Sequence, residues 1–369
     1  MQATKSGFYG LLLTCFFPFV IASCSQKPKT ETIVIDNSAP RRDVDGQIID
    51  AHGGCLQFFN GTYYLYGNKL GTNHDDQFPN CPFSVYSSPN LRDWTCRGTL
   101  LKDAPNGYYY RPYVIFNPKT KKYVLWYNWY QKLWEGSAGV AMSDSPTGPF
   151  VVVDRRAHLS GTCPGDGTLF EDDDGTGYYV YTDMANDYAV RVERLTADFS
   201  DTSGHGSPFI VYGAEAPLMF RRNNLYYILT GTLCASCKEG AEVGVEIASS
   251  PLGPYTFAGQ INHQSGDDTT QASTDTALES ANEGNEVSGF RRPQGKTDPF
   301  IHAQQTWIAK LPGANGNPLY MWMADGWYST PDGTRGHDFQ YWSFPLQFNA
   351  DGTIQPLRLA PNWAFERPL

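Results

Sequence analysis

An aromatic strand core recurs five times along the chain. The cores read YYLYG, YVLWYN, YYVYTD, YYILTG and YMWMAD and begin at Tyr63, Tyr123, Tyr178, Tyr226 and Tyr320, so successive cores start 60, 55, 48 and 94 residues apart. Three of them are followed by SSPNLRDW, SDSPTGPF or ASSPLGPY, which is typical of a turn leading into an outer strand. A repeat of about 45 to 60 residues suits a four-stranded propeller blade, and radial closure removes exposed sheet edges. The repeat predicts an all-β fold, a five-bladed β-propeller; a two-sheet sandwich is the competing fold.

The one irregular spacing coincides with a polar segment between Gln264 and Asp298. This stretch is rich in Asp, Thr, Ser, Gly and Glu and contains few large apolar residues. Such a composition buries too little apolar surface to form a blade of its own. We predict a long inserted loop over 264–298 between blades four and five, on the face where the innermost strands begin; a solvated loop without function is the alternative.

Composition agrees with this fold class and restricts the partners. The 369 residues include 36 Gly and 25 Pro, and no apolar pattern with a period of about 3.6 residues is sustained. The formal net charge of -10 argues against nucleic acid or an anionic membrane surface as a partner. We expect a neutral substrate and a monomeric protein.

The first 24 residues have the pattern of a targeting segment. Lys5 precedes the apolar stretch GLLLTCFFPFVIAS, and VIASC resembles the lipobox of bacterial lipoproteins, with lipidation expected at Cys24. An ordinary secretory signal with a chance cysteine is the alternative. We predict a lipoprotein signal peptide over 1–24, a linker over 25–45 and a single propeller domain over 46–369. The protein would then be extracytoplasmic, in the periplasm or at the cell surface, and held to a bacterial membrane only by its lipid.

Six cysteines remain beyond that segment. In an oxidising compartment such residues form disulfides more often than metal sites, and CASC lacks the second cysteine or histidine pair that zinc would require. The pairing does not follow from the spacing. The cysteines are Cys55, Cys81, Cys96, Cys163, Cys234 and Cys237.

Polar residues stand at similar distances before each aromatic core. Equivalent positions of a propeller's inner strands ring one channel mouth, so we expect these side chains to face a common funnel. Asp183 and Asp325, which end two of the cores, are further candidates for binding substrate. The residues before the cores are Asp50 and His52 in DAHGG, Tyr110 and Arg111 in YYRPY, Asp166 in CPGDGTLF, Glu215 in GAEAP, and Gln304 and Gln305 in HAQQT.

Two carboxylates in a funnel favour acid and base chemistry. Hydrolysis of a glycosidic bond requires one protonated acid for the leaving oxygen and a second group that activates water or attacks the sugar. Glu215 is the candidate acid, since its neighbours carry no charge and partial desolvation favours a protonated carboxyl group. Asp166 is the candidate for keeping that proton in place. For each carboxylate alone, a surface ion pair or a turn cap is the competing interpretation.

Several motifs together resemble glycoside hydrolase family 43, in the branch of exo-β-1,3-galactanases and related furanosidases. They are AHGG, RPYVIFNPKTKKYVLWYNW, SDSPTGPF, TLFEDDDGTGYY, EAPLMFRRNNLYYI and GHDFQYW. The resemblance implies a five-bladed propeller and exo-acting, inverting hydrolysis. The sequence shows no convincing cluster of metal ligands, so we expect no required cofactor or metal. By motif, Glu215 matches the general acid and Asp166 the carboxylate that modulates its pKa.

Two departures from the family pattern affect the expected reaction. AHGGC has glycine where most members carry a catalytic-base Asp. The galactanase branch also lacks that Asp, and its water-holding glutamine matches Gln304. That branch has Glu where this chain has Tyr110, which favours an α-L-arabinofuranosidase or β-D-galactofuranosidase acting on arabinan- or galactan-type glycans. Asp50 is a possible replacement base. An exo-β-1,3-galactanase and a non-catalytic glycan-binding propeller are the alternatives.

Aromatic and basic residues complete the candidate list for binding an oligo- or polysaccharide. His52 and Arg111 could contact sugar hydroxyl groups, although His52 could equally satisfy buried backbone groups. Trp129, Trp134 and Trp327 could stack on sugar rings, and packing between blades is the competing interpretation for each.

Overall fold

The computed structural model describes residues 29–70, 83–233, 242–262, 301–326 and 340–368, with residues 1, 2, 7 and 80 and the backbone of 290–291. Regular structure within these ranges is β-strand, apart from one 3-10 turn at Met184–Asn186. The first strand is β1 (Thr30–Asp36).

Five sheets follow β1 around a ring, and strand order within each sheet runs outward in chain order. Blade 1 consists of β2 (Leu56–Phe59), β3 (Thr62–Asn68), β4 (Phe83–Ser88) and β5 (Thr95–Thr99). Blade 2 consists of β6 (Tyr108–Asn117), β7 (Lys122–Tyr130), β8 (Ala138–Ser143) and β9 (Val151–Asp154). Blade 3 consists of β10 (Pro164–Glu171), β11 (Gly177–Asp183), β12 (Ala189–Leu195), β13 (Thr202–Gly206) and β14 (Val211–Tyr212).

The last two blades differ in size. Blade 4 consists of β15 (Ala214–Arg222), β16 (Leu225–Thr232), β17 (Gly244–Ala248) and β18 (Thr256–Gln260). The short β19 (Phe290–Arg291) pairs in parallel with β14 of blade 3. Blade 5 consists of β20 (Gln304–Pro312), β21 (Pro318–Asp325) and β22 (Gln340–Trp342), and the chain ends with β23 (Asn362–Pro368). The predicted five-bladed propeller is confirmed.

Burial explains why the aromatic cores repeat. They form the second strand of each blade, β3, β7, β11, β16 and β21, and β11 is buried at every position. A central strand packs against neighbouring blades on both faces, so it needs large apolar groups throughout. The outer strands β5 and β9 are mostly exposed or half-buried.

The chain termini close the ring between blades 5 and 1. Strand β1 pairs antiparallel with β23. The Asn37 side chain donates to the Trp342 carbonyl and accepts from the Trp342 N–H. Ile33 and Ile35 of β1 pack with residues of blades 1 and 5. The linker predicted over 25–45 is therefore wrong from Thr30 onward, because these residues contribute a strand to the fold.

Other predictions concern segments that the structure describes only in part. The insertion over 264–298 lies outside the described residues except for β19, and Cys24 and the signal segment also lie outside them. Among the described residues, no helix is long and apolar enough to cross a membrane.

The described cysteines, Cys55, Cys96 and Cys163, form no disulfide. The expectation of pairing is therefore wrong for these three. Burial raises the pKa of Cys55 to about 12 and makes its thiol unreactive.

Candidate active site

The innermost strand of every blade has a one-residue irregularity at the same place in the repeat. In each case the inner strand carries one more residue than its partner, a β-bulge that re-aims side chains at the channel mouth. The pairs that bracket the shifts are His52 and Leu56, Tyr110 and Tyr113, Pro164 and Gly167, Glu215 and Leu218, and Gln305 and Trp307. The bulged ends define the funnel and place Glu215 in register with His52, Tyr110 and Gln304.

Two bulge residues adopt positive φ immediately before proline. Arg111 has φ 54° and Ala216 has φ 50°. This conformation costs a non-glycine residue about 1–2 kcal/mol, and it persists where surrounding contacts hold it. The Gln305 side-chain amide donates to the Ala216 carbonyl at 2.6 Å, and Arg111 Nη1 donates to the Gln305 carbonyl at 3.0 Å. Blades 2, 4 and 5 thus hold one another at the funnel.

Arg111 forms a largely buried ion pair with Asp166. Its Nη2 donates to Asp166 Oδ2 at 2.7 Å, and the exposed fractions of the two side chains are 6% and 23%. Burial opposes the charge of Arg111, but Asp166, Tyr113 and Glu215 hold the pKa of the guanidinium above its usual value. Both predicted carboxylates therefore lie close enough to Arg111 to raise its pKa, which places them on one side of the funnel.

Glu215 meets Gln304 directly across the junction of blades 4 and 5. Gln304 Nε2 donates to Glu215 Oε1 at 3.1 Å. Gln304 is buried, whereas Glu215 remains half-buried. The next residue, Gln305, is turned towards backbone and packing contacts, because its Oε1 accepts from Trp322 Nε1 at 3.3 Å. The structure thus brings together Glu215, Gln304, Arg111 and Asp166, as the sequence analysis predicted.

A second group of ionisable residues lies at the seam between blades 1 and 5. His52 is 1% exposed and stands between two carboxylates, with Asp50 Oδ1 and Asp325 Oδ1 each 3.7 Å from a ring nitrogen. Asp325 accepts from the Gly53 N–H at 2.5 Å, and Asp50 accepts from the Leu70 N–H at 2.8 Å. Both predicted substrate-binding carboxylates are thus bonded to backbone in the seam, and the bulge of blade 1 carries Gly53 in place of an acid.

Arg41, which was not among the predicted site residues, lies at the same seam. The Arg41 guanidinium stands 3.8 Å from the Trp342 ring centroid and donates to the Gln340 carbonyl. Burial lowers the pKa of Arg41 to about 9, while Asp36 and Asp325 oppose that shift, so the group stays charged at neutral pH. The alternating segment TETIVID was the available signal that this region forms a strand.

Two predicted substrate contacts are structural instead. Asp183 is fully buried, accepts from the Cys163 N–H at 3.3 Å and from Asn186 Nδ2 at 2.6 Å, and so holds the loop that leads to Asp166. Trp129 is 7% exposed and packs close to Gly107. Neither side chain reaches the funnel surface because each belongs to a buried central strand, and Trp327 lies outside the described residues.

Tyr110 occupies the position in register with Glu215 but is aromatic. Its ring stacks on Trp134, with centroids 6.1 Å apart and planes 9° apart, and packs on Tyr130 at 5.4 Å. Burial raises the pKa of Tyr130 far above its usual value, and the nearby Asp166 carboxylate adds to the shift. An aromatic row thus leads outward from Asp166.

In the part of the chain that the structure describes, three residues of the types that can bind a metal ion lie close together away from the funnel. Ligand atoms of Asp154, His158 and Asp201 lie within 4.8 Å of one another on the outer part of blades 2 and 3. His158 is exposed, and its Nδ1 already meets Asp201 Oδ2 at 2.7 Å. This group does not adjoin the carboxylates of the funnel.

Comparisons with known proteins agree with this arrangement. The sequence model of glycosyl hydrolases family 43 matches residues 55–298, about two thirds of the chain. An arabinoxylan arabinofuranohydrolase of Bacillus subtilis is 27% identical over 68% of this chain and 56% of that protein. A β-D-galactofuranosidase of Aspergillus niger is 27% identical over 54% of this chain and 61% of that protein. The chain therefore spans a little more than half the length of these curated relatives.

A solved exo-β-1,3-galactanase from Clostridium thermocellum shares the fold. Its TM-score is 0.69 at 23% identity, with 89% of this chain and 66% of that chain covered. The family match includes Arg111, Asp166 and Glu215, while Gln304 lies just beyond it. Since the match extends over more than half of the sequence and over four of the five bulged strands, the chain belongs to glycosyl hydrolases family 43.

Proposed function

We propose that this protein is an exo-acting, inverting glycoside hydrolase that releases terminal α-L-arabinofuranose or β-D-galactofuranose from a glycan. The observation that carries the proposal is the funnel geometry, in which Glu215 meets Gln304 at 3.1 Å beside the Arg111–Asp166 ion pair. Family membership supports the reaction type, and the names of the curated relatives support the furanose class.

Glu215 is assigned as the general acid. A buried cation near a carboxyl group favours its ionised form, so an unpaired Arg111 would remove the proton that the acid must donate. Asp166 cancels much of the Arg111 charge through the 2.7 Å ion pair and so favours protonated Glu215. This is the physical basis for assigning Asp166 as the residue that tunes the acid.

Gln304 is assigned to the catalytic group as the partner of the acid and the holder of the attacking water. The two functions require two conformations. Inverting enzymes separate their catalytic groups by about 6.5–9.5 Å to make room for water, whereas the Gln304 amide lies 3.1 Å from Glu215. We propose that a bound sugar displaces the amide from Glu215 and frees it to hold water.

The alternatives rest on separate observations. The fold shared with the exo-β-1,3-galactanase favours terminal galactopyranose as a second candidate substrate. Glycine in the bulge of blade 1 favours a non-catalytic glycan-binding propeller as a third function, because no acid occupies that place. Tyr110 opposes strict galactanase specificity, since its single phenolic hydroxyl replaces the two charged acceptor oxygens of a carboxylate.

Hydrolysis of a substrate panel tests the proposal. The panel contains aryl α-L-arabinofuranoside, β-D-galactofuranoside, β-D-galactopyranoside and β-D-xyloside together with β-1,3-galactan. We expect activity on one furanoside, and Glu215→Gln should lower kcat/KM about 10²–10⁴-fold, as for loss of a general acid. Release of galactose from β-1,3-galactan alone would select the second candidate, and glycan binding without any hydrolysis would select the third.

A lipid anchor at Cys24 and an extracytoplasmic location belong to the same proposal. Support comes from the VIASC motif, since Cys24 lies outside the described residues. Cys24→Ala should release the protein from the membrane fraction into a soluble extracytoplasmic pool. Membrane association that survives the substitution would contradict the anchor without affecting the enzymatic proposal.

A further inference from the structure

Trp134 is the tryptophan that the described part of the chain leaves most open to solvent. Its exposed fraction is 55%, and the other described tryptophans are buried or half-buried. Its backbone adopts φ 63°, which is unusual for a bulky residue and marks a conformation imposed by its surroundings. An exposed aromatic side chain in a constrained backbone suits a binding function.

Contacts on both sides of Trp134 fix its loop in place. The Glu135 N–H donates to the Lys132 carbonyl at 3.0 Å, and the Cys163 thiol donates to the Glu135 carbonyl at 3.5 Å. Gly136 has φ 74° and packs so closely on Cys163 that a Cβ would lie 2.7 Å from its sulfur. Since Cys163 leads into the strand that carries Asp166, the loop is docked against the site itself.

The Trp134 ring continues the wall of the funnel. It stacks nearly parallel on Tyr110, which is in register with Glu215, and Tyr110 packs on Tyr130 near Asp166. Exposure increases outward along this row, from buried Tyr130 through half-buried Tyr110 to exposed Trp134. Tyr110 packs against part of one face of the indole, and the indole extends the row towards solvent.

We propose that Trp134, supported by Tyr110, is a sugar-binding platform that stacks a pyranose ring on the leaving-group side of the cleaved bond. The negative face of an indole attracts the C–H groups that a pyranose chair presents on one side, whereas a smaller, puckered furanose presents less flat area. This placement rests on the proposed function, because the terminal sugar of an exo-acting enzyme occupies the funnel and the next sugar lies outward. The preferred substrate is then a terminal sugar carried on a pyranose chain.

Calorimetric titration of catalytically inactive Glu215→Gln tests the platform. The probes are β-1,4-xylotetraose and β-1,3-galactotriose, with α-1,5-arabinotriose as an all-furanose comparison. Adding Trp134→Ala should weaken binding of at least one pyranose probe about three- to tenfold, the range for an aromatic stack. Trp134→Phe should recover most of the affinity, and arabinotriose should lose much less. Val153→Ala, a truncation of an exposed apolar residue on β9, serves as the matched control and should change nothing.

Equal affinities of the parent and the Trp134→Ala protein for both pyranose probes would overturn the inference, as would failure of the parent to bind either probe. Furanoside hydrolysis by the wild-type protein is measured in parallel. Hydrolysis combined with binding that does not depend on Trp134 would contradict the sugar-binding platform and support the proposed reaction. Binding that depends on Trp134, without hydrolysis of any furanoside, would support the platform and contradict the proposed reaction.

Discussion

Two sectors of the same ring use similar residues in different ways. The acid sector consists of Asp166, Glu215 and Gln304, and the seam sector consists of Asp50, His52 and Asp325. In the acid sector, carboxylates meet side chains and stay partly accessible, with Asp166 23% exposed. In the seam sector, carboxylates accept from backbone N–H groups around a histidine that is 1% exposed.

The difference shows how a repeated position acquires separate functions. A carboxylate bonded to backbone is held in one geometry and stabilises the chain that it touches. A carboxylate held by side chains can exchange partners when a substrate arrives. Mutations should therefore affect activity in the acid sector and stability in the seam sector.

The largest effect is expected at two adjacent glutamines, of which Gln304 contacts the proposed acid and Gln305 contacts backbone and a buried tryptophan. Gln304→Ala removes the partner of Glu215 and should lower kcat about 10²-fold, as for loss of one preorganised hydrogen-bonding group. Gln305→Ala leaves the Ala216 carbonyl and Trp322 N–H without this partner and should mainly lower stability. Steady-state kinetics and urea unfolding of both variants separate the effects. Equal loss of activity per folded molecule would contradict the division.

Breaking the Arg111–Asp166 pair should affect both activity and stability. Asp166→Asn leaves a buried cation without its anion, and we expect about 1–3 kcal/mol of lost stability, reduced from the value for a fully buried pair because Asp166 is partly exposed. Unpaired Arg111 should also favour ionised Glu215, so the alkaline limb of the pH–rate profile, where the acid loses its proton, should shift to lower pH.

The matched control for that pair is Asp144, whose Oδ1 lies 2.6 Å from Lys122 Nζ at the surface. Because its side chain is 83% exposed, Asp144→Asn should change stability by less than about 1 kcal/mol. Chemical denaturation checks both variants. A similar loss of unfolding stability in Asp166→Asn and Asp144→Asn would show that burial does not make the Arg111–Asp166 pair the more important of the two.

In the seam sector, Asp325→Ala should destabilise the closure of the ring. It leaves the buried Gly53 N–H without its acceptor, which costs about 1–3 kcal/mol, and it removes a negative charge close to Arg41. Activity of the folded fraction should fall far less than in Gln304→Ala. Unfolding midpoints and active-fraction kinetics measure this, and a loss of activity with unchanged stability would move Asp325 into the acid sector.

The smallest effect is expected at an exposed pair outside both sectors. The hydrogen bond to Asp201 raises the pKa of His158. Protonated His158 therefore stabilises the fold below about pH 6.5, and this stabilisation is lost as pH rises through the raised pKa. Burial opposes the charge of Asp201, but hydrogen bonds from His158 and Thr202 lower its pKa. The stability contributed by ionised Asp201 is therefore lost as pH falls below about 4.

The pair therefore stabilises the fold between about pH 4 and 6.5. His158→Gln should lower Tm slightly at pH 5.5 and leave it unchanged at pH 8.5. His205→Gln, a substitution at another exposed histidine, is the matched control. A Tm decrease of equal size at both pH values would show that the His158 charge contributes nothing.

Much of the fold and part of the site followed from local pattern. Each blade's second strand is packed on both faces, so its aromatic core is visible in the sequence, and the shared offsets before the cores identified Glu215, Asp166 and Arg111. The motifs around Gln304 identified it by resemblance. The strand Thr30–Asp36 was missed because its partner, β23, lies more than 300 residues away, although the alternation in TETIVID was present.

The sequence by itself determined the blade repeat, the five-bladed ring and the residues proposed for acid chemistry, because each depends on periodicity or on short motifs. Only the tertiary structure separated the acid sector from the seam sector. It also showed that Asp183 and Trp129 are buried and that Trp134 stacks on Tyr110 at the rim. These outcomes depend on which strands of different blades meet and how deeply each side chain is covered. Such contacts join residues that are distant in the chain, so no local pattern records them.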